Sequence, residues 1–446
     1  MQFVFVGKVV VLLALQKNTQ DTQEIRTNNK PNIGALDGIR AFACLSVITY
    51  HLNYFTHRIF DLTPILGQLG NSIVLSGYSG VTLFFVLSGF LLFMPYAKYL
   101  LFDQPRPSTR TFYWRRFLRI IPGYYLALVL ITTILNPAYL RPDHFGRLLL
   151  FPLFLMDAPA TYQQINGPFW TLAIEWQYYL LLPLFVIGFS LFVRRGTSPQ
   201  SRLKRLIVCL AGMIVWGITT RGIGIFYTML HPTGMLLVPR SVLNIFLLIT
   251  YGASGKYLED FAIGMLCSTL YIYTRNAAPN HRLTQYISKR GMRFWGIGIA
   301  VLLFMACWKV FYYELFFLDP FIGDHMLLTE LAYASGYGLC IIGVLFGPVG
   351  LRMMLSWQPL RWIGSLSYGM YLWHLPFLRL VNDYIVKRYS TDFLSTYALY
   401  WACVLLITIP LAYLLYRFYE RPCTQLAHIQ QHQKQKVVKE KSSKVD

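Results

Sequence analysis

The sequence predicts an all-α transmembrane protein of about ten spanning helices, with both termini cytoplasmic and no separate soluble domain. Three observations lead there. Hydrophobic residues make up 55% of the 446 residues and charged residues only 13%, whereas a soluble domain is about a quarter charged. Apolar stretches of about 20 residues, enough to cross a bilayer core as a helix, recur along nearly the whole chain. The basic residues also alternate between connecting loops instead of gathering on one stripe.

Residues 1–33 form an N-terminal cytoplasmic segment. Its start, MQFVFVGKVVVLLALQ, looks like a signal h-region, but Lys8 interrupts the run and no small-residue cleavage site follows. An interfacial segment is expected there. Spans are expected at 34–57, 73–97, 117–136, 169–193, 204–226, 257–274, 294–313, 328–347, 363–384 and 396–416. They make up a membrane domain over 34–418, followed by a basic, disordered cytoplasmic tail over 419–446. Between the third and fourth spans, FGRLLLFPLFLMD is too short to cross and is expected to be an interfacial or re-entrant helix. The longest loops, about 30 residues, cannot support an independent core.

The loop charges orient these spans. Of 40 Lys and Arg, 29 fall in the two tails and alternate loops of one side, and 7 in the opposite loops. Arg40, Arg221, Lys309 and Arg379 lie inside spans. The positive-inside rule then puts both termini in the cytoplasm. The formal charge of +21 is thus topological, not the clustered footprint of a nucleic-acid partner. Seven cysteines lie in or beside hydrophobic segments without a CxxC pair, so neither structural disulfides nor a metal site are expected.

Ionisable residues inside spans are expensive and point to function. Arg40 and His51 are eleven positions apart, close to three helical turns, so one face carries both about 16 Å apart. The structural alternative is an Arg reaching to headgroups and a packed His. Asp37 is either an ion-pair partner for Arg40 or an N-cap. In TFYWRRFLRIIPGYY, Arg116 and Arg119 are i and i+3 neighbours, with Arg115 one turn before Arg119. That cluster suits a phosphate or an ordinary cytoplasmic anchor. In NGPFWTLAIEWQYYLLLPL, a turn at 166–168 leads into a helix, Trp170 and Trp176 sit at an interfacial aromatic belt, and Glu175 enters the bilayer. His51 lies at a compatible depth to be its partner; a structural Glu bonded to Tyr or backbone is the alternative. In IGSLSYGMYLWHLPFL, Tyr371 and His374 share a face, with Tyr368 one turn before. These can orient a substrate or simply pack. The Gly- and Ser-rich GYSGVTLFFVLSGFLL reads as close helix packing, with Ser88 outside any GxSxG elbow. GASGK at 252–256 is not a Walker loop, and no HExxH occurs.

Taken in order, LDGIRAFACLSVITYH, GVTLFFVLSGFLL, RRFLRIIP, FWTLAIEWQYYLLLPL, SLSYGMYLWHLPF and YERP resemble the acyltransferase-3 family of membrane acyltransferases, over about 390 residues. The resemblance implies O-acylation, usually acetylation, of a carbohydrate such as a surface polysaccharide, glycolipid or glycosylated metabolite. It implies acyl-CoA as the donor at the cytoplasmic side, with no metal. The family's Arg-x10-His pattern falls on Arg40 and His51, and its Arg-x-x-Arg pattern on Arg116 and Arg119. Many relatives carry an extracytoplasmic hydrolase-like domain after the last span; with none here, transfer is expected within the membrane domain or with a separate protein.

On this reading Arg40, Arg116 and Arg119 bind the CoA phosphates, and His51 is the general base, with Glu175 orienting its ring. Trp170, Tyr371 and His374 contact the acceptor. An acyl-histidine intermediate is the other route. A transporter or acyl conduit would use the same polar residues, and an assembly subunit would leave them unexplained.

Overall fold

In this computed structural model the described residues are 33–57, 62–231, 239–276, 281–311, 315–323, 326–389 and 392–422. The expected interfacial segment at the N-terminus, Cys423 and most of the basic tail lie outside them. Helices account for the regular structure among the described residues, with no strand.

The chain begins with α1 (Ile33–His57), α2 (Thr63–Leu75) and α3 (Gly80–Phe102), followed by α4 (Thr109–Leu130) and α5 (Phe169–Val193). Next come α6 (Pro199–Ile225), α7 (Arg240–Thr250), α8 (Leu258–Asn276), α9 (Arg282–Lys289) and α10 (Gly291–Cys307). Last are α11 (Thr329–Phe346), α12 (Val349–Leu355), α13 (Gln358–Val381) and α14 (Phe393–Cys403), which continues through π-type turns to Glu420. Among the described residues six helical segments are long and apolar enough to cross a membrane: 63–102, 109–135, 169–193, 199–230, 329–346 and 393–420. The α9–α10 pair, bent by 60°, makes a seventh.

The other three expected spans are α1, α8 and α13, of 25, 19 and 24 residues. They are long enough but too polar to pass on hydropathy. Their ionisable residues include Asp37 and Arg40, Glu259 and Asp260, and His374 and Arg379. Neighbouring helices cover much of this polar surface, with Glu259, Asp260 and His374 at most 2% exposed.

Glycine sets how closely the central helices meet. A Cβ on Gly38 of α1 would lie 1.9 Å from the Leu355 carbonyl oxygen, and one on Gly364 of α13 1.9 Å from that of Asp37. Gly89 of α3 and Gly264 of α8 form a reciprocal contact, 2.3 Å from the Phe261 carbonyl oxygen and 2.1 Å from that of Val86. Helix backbones therefore touch in both crossings, as small residues permit in membrane interiors. Tyr178 stacks on Phe261 at 3.8 Å between ring centroids, fastening α5 to the α3–α8 pair.

Two expectations need correction. The third span begins at Thr109, not 117, with Ser108 as its N-cap, so Arg115, Arg116 and Arg119 lie within the helix. The stretch after it forms no continuous interfacial helix: Phe145–Leu148 is helical and turns follow. Tyr124 and Tyr125 of α4 donate hydrogen bonds to the carbonyls of Phe151 and Pro152, both at 2.9 Å, in place of helical donors. Phe151, Phe154, Met156 and Asp157 of this loop are buried. Lys256 ion-pairs with Asp157 and donates to Gln177 Oε1 at 3.0 Å, tying the loop to α5. At the other end, Asp103 accepts from Arg202 (2.6 Å) and Arg194 (3.2 Å), and the Arg202 hydrogen bond holds its carboxyl below the usual range.

Candidate active site: two cavities meeting at Tyr371

The inner cavity, about 250 Å³, is lined by Arg40, Arg116, Arg119, Glu175, Tyr179 and Tyr368 among others. Three guanidinium groups face one glutamate there. Arg40 is paired with Asp37 at 3.2 Å, so Asp37 acts as the helical ion-pair partner and not as an N-cap. Arg119, Tyr179 and Glu175 lie within electrostatic range of Arg40. The Arg116 guanidinium sits 5.8 Å from the Tyr179 ring centroid, and its buried Nε has no hydrogen-bond partner among the described residues. A buried unpaired donor beside two further arginines suits an anionic ligand.

Glu175 belongs to this cavity. Its carboxylate accepts from Ser88 Oγ at 2.8 Å and from the Tyr179 hydroxyl one turn on. It is therefore not the residue that orients His51. Glu175 lies five positions after Trp170, which lines the other cavity, and those five steps impose about 7.5 Å of rise and 140° of rotation. Depth alone does not specify that rotation. Ser88, read from sequence as packing, is a ligand of the glutamate.

The outer cavity, about 610 Å³, is lined by His51, Tyr78, Trp170, Tyr257, Tyr333 and Glu330 among others. Trp170 packs against Tyr162 and Tyr257, with centroids 5.4 and 5.5 Å away, so it forms cavity wall, not a lipid-facing belt. Tyr162, in the loop before α5, also lines the cavity; burial pushes its hydroxyl pKa up, keeping it neutral. Glu330 Oε2 accepts from Thr82 Oγ1 at 2.8 Å.

His51 pairs with His374, Nδ1 to Nε2, at 3.0 Å. The proton positions follow from the neighbours. His374 Nδ1 faces the carbonyls of Met370 (3.1 Å) and Tyr371 (2.9 Å), which can only accept, so Nδ1 carries the hydrogen. Its Nε2 is then an acceptor, and His51 Nδ1 donates to it. The Val47 carbonyl also hydrogen-bonds the His51 ring. This leaves His51 Nε2 as the unprotonated nitrogen, and a fully buried His374 as the orienting group.

Tyr371 lines both cavities. Thr171 Oγ1 donates to the Pro168 carbonyl at 2.8 Å, so the Tyr371 hydroxyl donates to Thr171 Oγ1, at 2.9 Å. The sequence therefore identified residues that gather at two adjoining cavities. Arg40, Arg116, Arg119 and Glu175 lie in one; His51 and Trp170 lie in the other, with His374 behind His51 and Tyr371 between.

Sequence reasoning left a further charged group without a role. Arg221 of α6 pairs with Glu259 of α8 at 2.7 Å and donates to the Ser254 carbonyl at 3.0 Å. Asp260 and Glu330 lie in its electrostatic environment, and all four residues are at most 2% exposed. Acidic residues in the apolar runs LEDFAIGM and LTELAYAS were the available signal. Among the described residues no group of three His, Cys, Asp or Glu is placed to hold a metal ion.

The Acyl_transf_3 model, described as an acyltransferase domain, matches residues 33–417. The peptidoglycan O-acetyltransferase OatA of Listeria monocytogenes is 26% identical over 409 residues, covering 87% of this chain and 55% of that protein. The O-acetyltransferase OatA of Staphylococcus aureus is 25% identical over 443 residues, covering 91% of this chain and 59% of that protein. The chain thus spans just over half the length of these curated relatives. No solved structure matches it significantly.

Proposed function

The chain belongs to the acyltransferase-3 family of acyltransferase domains, and on that premise we propose that it is a membrane O-acyltransferase. It moves an acyl group, acetyl in the first instance, from acyl-CoA to a hydroxyl of a carbohydrate such as a cell-wall polysaccharide. The observation that carries this reading is the His51–His374 pair, which leaves a basic nitrogen at the wall of an aromatic cavity. One helix face connects that nitrogen to the arginine cavity.

On this reading the donor's phosphates bind at Arg116, Arg119 and Arg40, where the unpaired Arg116 Nε supplies a hydrogen bond. Glu175, held by Ser88 and Tyr179, offsets part of the arginines' charge from across the cavity. The thioester supplies the activated acyl carbon. His51 Nε2 accepts the proton of the acceptor hydroxyl as its oxygen bonds to that carbon and the carbon–sulfur bond breaks. The imidazolium, steadied through Nδ1 by His374, returns the proton to the departing thiolate. The products are an ester and free CoA, with no net proton change. Aromatic side chains around the outer cavity stack against the sugar's C–H faces, and Glu330 accepts from its hydroxyls. The excess of basic residues in alternate loops supports ten spans with both termini cytoplasmic, and on that topology the arginine cavity opens toward the cytoplasm.

The test supplies radiolabelled acetyl-CoA to membranes containing the protein and identifies what becomes labelled. Label in a carbohydrate ester supports the reading. Binding of acetyl-CoA without any acylated product favours the second reading, an acyl conduit, which the shared wall at Tyr371 also accommodates.

A further inference from the structure

Among the described residues two side chains, Val81 of α3 and Tyr371 of α13, line both the arginine cavity and the histidine cavity. Tyr371 is held rigidly there. It is 8% exposed, its hydroxyl is spent on Thr171, and its ring meets Phe84 edge-on at 5.8 Å between centroids. Phe84 itself lines the inner cavity, one turn after Val81. On the far side the Tyr371 ring lies 5.9 Å from that of His374, which is 5.0 Å from His51. The wall the two cavities share is therefore built from Val81 and Tyr371, backed by Phe84 and next to the histidine pair.

We propose that Val81, Phe84 and Tyr371 form a selectivity constriction that admits a slender acyl chain to His51 and excludes wide ones. The proposal rests on the reading that the arginine cavity takes acyl-CoA. An acetyl group is no wider than the pantetheine arm that precedes it, so any passage fit for the arm admits acetyl. A branched or aromatic acyl group is wider, and must displace Val81 or break the Tyr371–Thr171 hydrogen bond. Neither residue moves a proton or binds phosphate on this account. Their effect is on which donor reacts, and they act as specificity residues.

The experiment compares acetyl-, isobutyryl- and benzoyl-CoA as donors with full-length protein in membranes. Wild type should transfer acetyl faster than benzoyl by about tenfold or more, the scale on which an apolar wall discriminates size. Val81→Ala and Tyr371→Ala should each raise the benzoyl-to-acetyl ratio by about fivefold or more. Val81→Trp should block transfer of every donor while CoA still raises its melting temperature, which shows the variant is folded. If wild type transfers acetyl and neither alanine variant changes the ratio, the donor reading stands and the constriction is overturned. If wild type transfers no acyl group and CoA produces no thermal shift, the donor reading fails and the constriction falls with it.

Discussion

Replacing His374 with phenylalanine keeps a ring of similar size in a fully buried position but removes the nitrogen that accepts from His51 Nδ1. The buried N–H loses a partner, which costs about 1–3 kcal/mol. Were that loss felt wholly in the transition state, where the imidazolium bears charge, the rate would fall about 5- to 150-fold. The Val47 carbonyl retains part of the ring's orientation, so the defect should stop short of the complete loss expected when His51 itself is removed. His374→Gln places an amide close to the position of Nε2 and should recover part of the rate. The assay is the initial rate of label transfer from acetyl-CoA, normalised to the amount of protein in the membrane. A His374→Phe variant that inserts normally and works within twofold of wild type would refute the proposed role of the pair.

Three other perturbations test separate parts of the account. Arg119→Ala should raise the acetyl-CoA concentration needed for half-maximal rate by about tenfold or more, and Arg119→Lys should restore only part of it, because a lysine lacks the bidentate fork; rate measured against donor concentration decides. Arg221→Met should destabilise the protein more than Glu259→Gln, since it leaves buried Glu259 without its cation and removes the positive charge near Asp260 and Glu330, and breaking such a pair costs about 3–5 kcal/mol; thermal unfolding in detergent compares them. Gly264→Val places side-chain carbon against the Val86 carbonyl, where even a Cβ would approach to 2.1 Å. Its melting temperature should fall, reflecting about 1–3 kcal/mol or more of overpacking, and an unchanged value would contradict the α3–α8 backbone contact.

Much of the site was legible because the bilayer makes polar residues conspicuous. Arg40, His51 and Glu175 stood out against apolar neighbours, and helical spacing put Arg116 with Arg119. The partner of His51 was not legible. His374 is 323 positions away, and a sequence indicates how deep a residue lies but not which way it turns about its helix axis. That same missing angle led to pairing Glu175 with His51, when Glu175 is held in the arginine cavity. Hydropathy likewise identifies helices that face lipid, so α1, α8 and α13, whose polar residues are covered by other helices, register weakly. The outer loop misled for a related reason: Phe151, Phe154 and Met156 are buried as the loop packs onto α4 and α5, without forming the continuous helix its composition suggested.

The central claim is that His51 Nε2 is the base of an acyl transfer that begins in the arginine cavity. Labelled acetyl-CoA given to membranes holding equal amounts of wild-type protein and His51→Ala tests it directly. The account predicts labelled carbohydrate ester with wild type and none above background with His51→Ala, while CoA still raises the variant's melting temperature. Wild-type transfer by the variant would contradict it.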